Sequence, residues 1–230
     1  MGRQFSIGNP PIEVNVRGST RARRLSLRVS RLDGTVSLTV PPSSTEREAL
    51  AFLHERENWL RKHLAGVRPK TKVTIGETVM FGGVETPINA SDVKRARHQD
   101  GQFLVPRDVQ QTGVRLQAFM KLQARDALAA ASDNYAAEVQ RSYARISLRD
   151  TRSRWGSCSS DGVLMYSWRL IMAPVDVLNY VVAHEVSHLV HMNHSAAFWA
   201  TVAELMPDYE VHRQWLRKNG DTLHRYDFGR

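Results

Sequence analysis

The 230-residue chain is 42% hydrophobic and 24% charged, which excludes a disordered chain or a fibrous repeat, and no apolar run approaches the roughly 18 residues a membrane span needs. Its single cysteine, Cys158, excludes a disulfide framework and a metal site built on several thiolates. Thirty-two Lys and Arg against 23 Asp and Glu leave a net charge of +9, which allows an anionic partner or substrate but says nothing of fold.

The N-terminal segment lacks the apolar core of a secretory signal, and with a lone cysteine this predicts a cytoplasmic, reducing setting. Leu25, Leu27 and Val29 alternate with polar residues, as do Val36, Leu38 and Val40, and Asp33-Gly34 between them predicts a β-hairpin. A helix is predicted over 44–65, opened by Pro42, Glu46 and Glu48 and closed by Gly66; Glu57 interrupts its apolar face. Residues 73–105 read as short strands broken by Gly76, Gly82-Gly83 and Pro87. A long helix over 114–143 follows, then two strands, 146–157 and 163–172, around Asp161-Gly162. Pro174 and Asp176 start a helix that runs to about residue 191. Another is predicted from Ser195 to before Pro207, and a last one from Asp208 to Asn219-Gly220. The expected fold class is α+β: a β-rich N-terminal part with one helix over 1–110, then a helical domain with a short sheet over 111–230. Residues 1–110 hold 18 Lys+Arg against 11 Asp+Glu, and residues 111–230 hold 14 against 12.

The informative stretch is His184-Glu185-Val186-Ser187-His188, inside a predicted helix. Residues four apart share a helix face, about 6 Å apart along the axis, so His184 and His188 can grip one metal ion. Glu185, turned about 100° from His184, is placed to take a proton from water on the ion's open side. Leu178, Val182, Val186 and Leu189 supply the buried opposite face. A third ligand is needed, and His194, six residues on, reaches back only if the helix ends and the chain turns. Asn193 can adopt the left-handed conformation of such a turn. The spacing is metzincin-type, with His191 where a glycine is usual. His191, on the face of His184, and Glu204 compete with His194 for the third place.

Longer signatures surround these residues: Arg154-Trp155-Gly156-Ser157-Cys158, Trp168-Arg169-Leu170, Tyr180-Val181-Val182, His194-Ser195, Phe198-Trp199, Pro207-Asp208-Tyr209 and Arg23-Arg24-Leu25-Ser26-Leu27-Arg28-Val29. With them the chain resembles the YgjP-like metallopeptidase family and, more distantly, the SprT and WLM zincin-like domains. The resemblance implies a zincin-like domain in which His184, His188 and His194 hold zinc, or another divalent transition metal, and Glu185 is the general base. It implies a peptide substrate by fold, and alternatively hydrolysis of nucleoside triphosphates to monophosphates and pyrophosphate. Its distant relatives suggest a third role, a nucleic-acid-associated metalloprotease docking through the basic N-terminal part.

Arg152, Arg154 and Arg169 flank the strand pair expected beside the metal, and one of them, with Arg154 and Arg169 foremost, is a candidate for oxyanion or phosphate contacts, against a solvated strand face. Tyr180, one turn before His184, and Tyr209 are candidate donors to an oxyanion, against ordinary packing. Cys158 reads as a small buried residue, not a nucleophile; Phe198, Trp199 and Trp215 read as core. Arg17, Arg21, Arg23, Arg24, Arg28 and Arg31 form a solvated hairpin edge or, centred on Arg21, Arg23, Arg24 and Arg28, an anion patch. No aromatic interleaves with them in sequence. No feature specifies an oligomeric state.

Overall fold

A computed structural model describes residues 3–30, 32–67 and 69–229; Arg31 of the basic run lies outside them. The chain divides into two compact units, Met1–Lys70 and Thr71–Arg230, so the division falls well before the expected one at 110. The reason is packing. Val73, Val79, Ile88, Phe103 and Val105 belong to the same core as Leu116, Met120 and the metal-motif helix. The basic surplus follows the first unit, whose 70 residues hold 13 Lys+Arg against 6 Asp+Glu.

In the first unit, β1 (Arg3–Ile7), β2 (Ile12–Gly18), β3 (Ser26–Val29) and β4 (Val36–Val40) form a sheet in the order β1-β2-β4-β3. The β3–β4 hairpin turns at Gly34, whose φ of 70° suits a residue without a Cβ. Alternating residues Phe5, Ile7, Ile12, Val14, Val36 and Leu38 are buried against Ala49, Leu53 and Leu60. The expected single helix is two, α1 (Glu46–Glu55) and α2 (Glu57–Ala65), broken at Arg56. A capping box between Thr45 and Glu48 starts α1. The break falls beside Glu57, the residue that interrupts the apolar face; Glu57 pairs with Arg61, which also donates to the carbonyl of Pro10.

The second unit opens with β5 (Thr71–Lys72), β6 (Thr78–Phe81), β7 (Val84–Ala90), β8 (Arg97–Gln99) and β9 (Gln102–Val105). Four of these make a sheet in the order β6-β7-β9-β8. The 27-residue α3 (Thr112–Glu138) buries one stripe at four-residue spacing: Leu116, Met120, Ala124, Leu128, Ser132 and Ala136. It ends earlier than predicted, and Gln140, at a φ of 53°, turns the chain. The run predicted as one strand over 146–157 is two, β10 (Arg145–Arg149) and β11 (Gly156–Cys158), separated by a loop. Both pair with β12 (Val163–Ser167), β10 parallel and β11 antiparallel. Residues 168–172, predicted to continue that strand, coil into a short 3-10 helix.

Three helices complete the unit: α4 (Val175–Ser187), α5 (Ala196–Leu205) and α6 (Tyr209–Asn219), before β13 (Tyr226–Asp227) pairs in parallel with β5. Nine of the thirteen residues of α4 are buried, the pattern of a helix packed on nearly all sides. The β6–β7 turn fixes its start: Gly82 and Gly83 donate to the carbonyls of Ile171 and Met172, and a Cβ on Gly83 would meet Pro174 at 2.8 Å. Among the described residues no helix is long and apolar enough to cross a membrane.

Candidate metal centre

The motif helix stops at its second histidine. Helix α4 ends at Ser187 with His188 as its C-cap, shorter than the expected limit near 191. Leu189 donates to Val186, and Val190 and His191 to Ser187, at 2.9–3.1 Å, so a tightened last turn carries the reversal. Asn193 is not left-handed: the described non-glycine residues at positive φ are Asp100 and Gln140. Ser195 then caps α5 by accepting from the backbone of Phe198, which sets His194 one residue before a fixed helix start.

The loop brings His194 back to the helix. The ligand atoms of His184, His188 and His194 lie within 4.8 Å of one another, and Nε2 of His194 is 3.1 Å from Nε2 of His184. His191 and Glu204, the competing third ligands, are not in this group. Instead the His191 carbonyl lies 3.0 Å from Nδ1 of His188; donation to it leaves the His188 Nε2 lone pair facing the cluster. Burial, then the neighbouring histidines, pushes His184 down to about 3, and burial also lowers His188. Nδ1 of His184 is buried without a hydrogen-bond partner. Three imidazoles, two of them held neutral by burial and converging with no protein group between them, are a donor set that fits zinc or a similar divalent transition metal. They do not suit an ion that takes oxygen ligands. Beneath them lies Phe198, fully buried, with its ring centroid 4.5–4.9 Å from those of all three.

Glu185 is buried against β11. Desolvation pushes its carboxyl up to about 8, opposed by the charge of Arg154 and by a hydrogen bond from the Cys158 backbone N–H. The close approach requires glycine: a Cβ on Gly156 would stand 2.6 Å from Glu185 Cγ and Oε1. Arg154 is exposed and near enough to act on Glu185 through its charge. The Cys158 thiol is pushed up to about 11, first by burial and then by Glu185, so it is no thiolate at neutral pH.

An aromatic wall flanks the histidines. Tyr180, buried, lies 6.1 Å from the His184 ring and stacks on Tyr209 at 6.4 Å. Burial pushes Tyr180 up to about 12, which keeps its hydroxyl a donor. Trp199, expected in the core, is half-buried and reaches His184, His194 and Tyr209 at 5.6, 5.8 and 5.4 Å. Arg213 of α6 lies over Trp199, 4.5 Å from its centroid. It is absent from the sequence expectations, although its place four residues after Tyr209 on one helix puts both on one face.

Arg169, expected to contact an oxyanion or phosphate, is engaged elsewhere. It is buried, and its guanidinium is committed to Asp150 and to the carbonyls of Leu223 and Tyr226, between the rings of Trp168 and Phe228. It anchors the C-terminal segment; it is not a contact for an oxyanion or phosphate. His224 sits in the same cluster, 5.1 Å from the Trp155 ring, and is pushed down to about 4 by burial and by Arg169. Folding therefore favours neutral His224, and between pH 6.5 and 4 the unfolded chain binds the extra proton. His224→Gln is expected to remove roughly 1–3 kcal/mol of the stability loss on acidification through that window, read as Tm against pH for both proteins.

In the first unit Arg21, Arg23, Arg24 and Arg28 are all exposed, and among the described residues none forms an ion pair. Arg24 lines a depression with Phe52, Arg56 and Trp59, so the fold supplies the aromatic that the local sequence lacks.

Among curated proteins none matches this chain. Among solved structures, the crystal structure of the metallopeptidase zymogen of Pyrococcus abyssi abylysin is similar at 21% identity, over 41% of this chain and 93% of that one, with a TM-score of 0.35. The sequence profile of the YgjP-like metallopeptidase domain matches residues 23–219, which include both units' signatures and the whole histidine cluster. The chain belongs to the YgjP-like metallopeptidase family.

Proposed function

We propose that the chain is a zinc-dependent hydrolase of peptide bonds, with His184, His188 and His194 holding the ion and Glu185 serving as general base. The observation that carries this reading is the convergence of three imidazole nitrogens within 4.8 Å, one residue from a buried carboxylate. An ion held there would supply Lewis acidity toward the scissile carbonyl. Glu185 takes the proton of the attacking water on its carboxylate, which the Cys158 N–H holds in place. The Tyr180 hydroxyl donates to the oxygen on which charge develops, with Tyr209 stacked behind it. Arg154 offsets the charge of Glu185 before the proton arrives.

Digestion of a peptide mixture, followed by mass spectrometry, tests the reading. Cleavage is expected to stop on chelation and return with zinc, and His194→Ala is expected to lower the bound metal per chain. Cleavage indifferent to chelation would overturn it.

A second reading concerns the first unit, which we take to dock nucleic acid through Arg21, Arg23, Arg24 and Arg28. The exposed Trp59 beside Arg24 and Arg56 favours it, because a flat indole among guanidinium groups stacks bases while the cations meet phosphates. Binding of a fluorescent single-stranded oligonucleotide is expected to weaken steeply with salt and to drop in Trp59→Ala. Salt-independent binding would count against it.

A further inference from the structure

Among the described residues Arg213 has an aromatic neighbour but no anionic partner. It is half-buried on α6, and its guanidinium carbon lies over Trp199, whose ring neighbours His184 and His194. Among the described residues no carboxylate pairs with it and no group accepts a hydrogen bond from it. The nearest acids in sequence are engaged elsewhere: Asp208 with His212, and Glu210 with the Tyr209 hydroxyl. Stacking occupies the face of a guanidinium and leaves its in-plane fork of N–H donors free. The charge of Arg213 also acts on His184 and Tyr180, so the cation stands within electrostatic range of the metal ligands. A half-buried cation with an unfilled fork calls for an anion.

We propose that Arg213 recognises an oxyanion of the substrate, carboxylate or phosphate, next to the bond that is cleaved. The inference rests on the hydrolase reading for which bond breaks, but not for the binding itself. A planar fork matches both anions in two-point fashion. A peptide carries such a group as its free C-terminal carboxylate; the other source is the phosphate chain of a nucleoside triphosphate.

The test is calorimetric binding to zinc-loaded Glu185→Gln protein, in which turnover is expected to be slow on the timescale of the titration, and to the same protein with Arg213→Gln added. The probes are an N-acetylated tripeptide with a free carboxylate, its C-terminal amide, and ATP. The acid is expected to bind about 10–100-fold more tightly than the amide, with the preference lost in the Arg213→Gln protein. Arg213→Lys, which keeps the charge but not the fork, is expected to fall between, and it serves should Arg213→Gln fail to fold by circular dichroism. Arg213-dependent binding of ATP with neither peptide bound would uphold the anion site and overturn the peptide substrate. Equal binding of acid and amide, with ATP binding unaffected by either Arg213 substitution, would overturn the proposal.

Discussion

Glu185→Gln is expected to lower kcat by about 10²–10⁴-fold, the range of a lost general base, and to leave the metal content unchanged. Glutamine keeps the volume, and its amide oxygen can still accept from the Cys158 N–H, so β11 and the histidines have no reason to move. Only the capacity to hold a proton goes. Thermal stability is not expected to fall, since burial already disfavours the ionised carboxylate and an amide carries no charge to desolvate. Glu185→Asp complements the test: the carboxylate survives but is one methylene short of the Cys158 N–H, so activity is expected to drop through position while the acid–base group is kept. Turnover near the unmodified level in Glu185→Gln, with metal bound, would remove Glu185 from the chemistry.

The legible parts of the site were those set by local spacing. A four-residue interval on one helix puts His184 and His188 side by side whatever the rest of the chain does, and the demand that the helix end before His194 follows from the same geometry. The Asp33-Gly34 hairpin was legible for a similar reason, its turn chemistry being local. What failed depended on partners far away in sequence. Arg169 looks available until Asp150 and the carbonyls of residues 223 and 226 arrive to occupy it. The run over 146–157 alternates well enough for one strand, but Asp150 pairs with that same arginine, and the loop splits it. Trp199 has core-like spacing beside Phe198, and only the return of His194 decides that one ring lies beneath the histidines and the other along their side. The boundary at 110 followed texture, β-rich against helical, whereas the domain division follows which core the strands of residues 71–105 enter. The charge surplus lies toward the N-terminus, mostly within the first 70 residues, and so in a unit other than the one that carries the metal ligands.

Gly156 carries the second large prediction, since it joins the signature around Cys158 to the base. Its backbone is not in the left-handed region, so the turn does not demand glycine; space does. An added methyl would sit 2.6 Å from Glu185 Cγ and Oε1, nearer than carbon and oxygen can approach without one of them moving. The carboxylate is the movable party, but it is buried between α4 and β11 and tied to the Cys158 N–H, so it swings only by giving up that bond or by pushing β11 away from α4. Gly156→Ala is therefore expected to cost about 10²-fold in kcat through displacement of the base, and about 1–3 kcal/mol in stability through overpacking, with all three histidines intact. Metal content at the unmodified level with kcat reduced would identify the base as the displaced group. The double substitution Gly156→Ala with Glu185→Gln sharpens the reading: if the methyl acts through Glu185, it adds little further loss of kcat once the base is gone, whereas an independent structural effect would multiply with it.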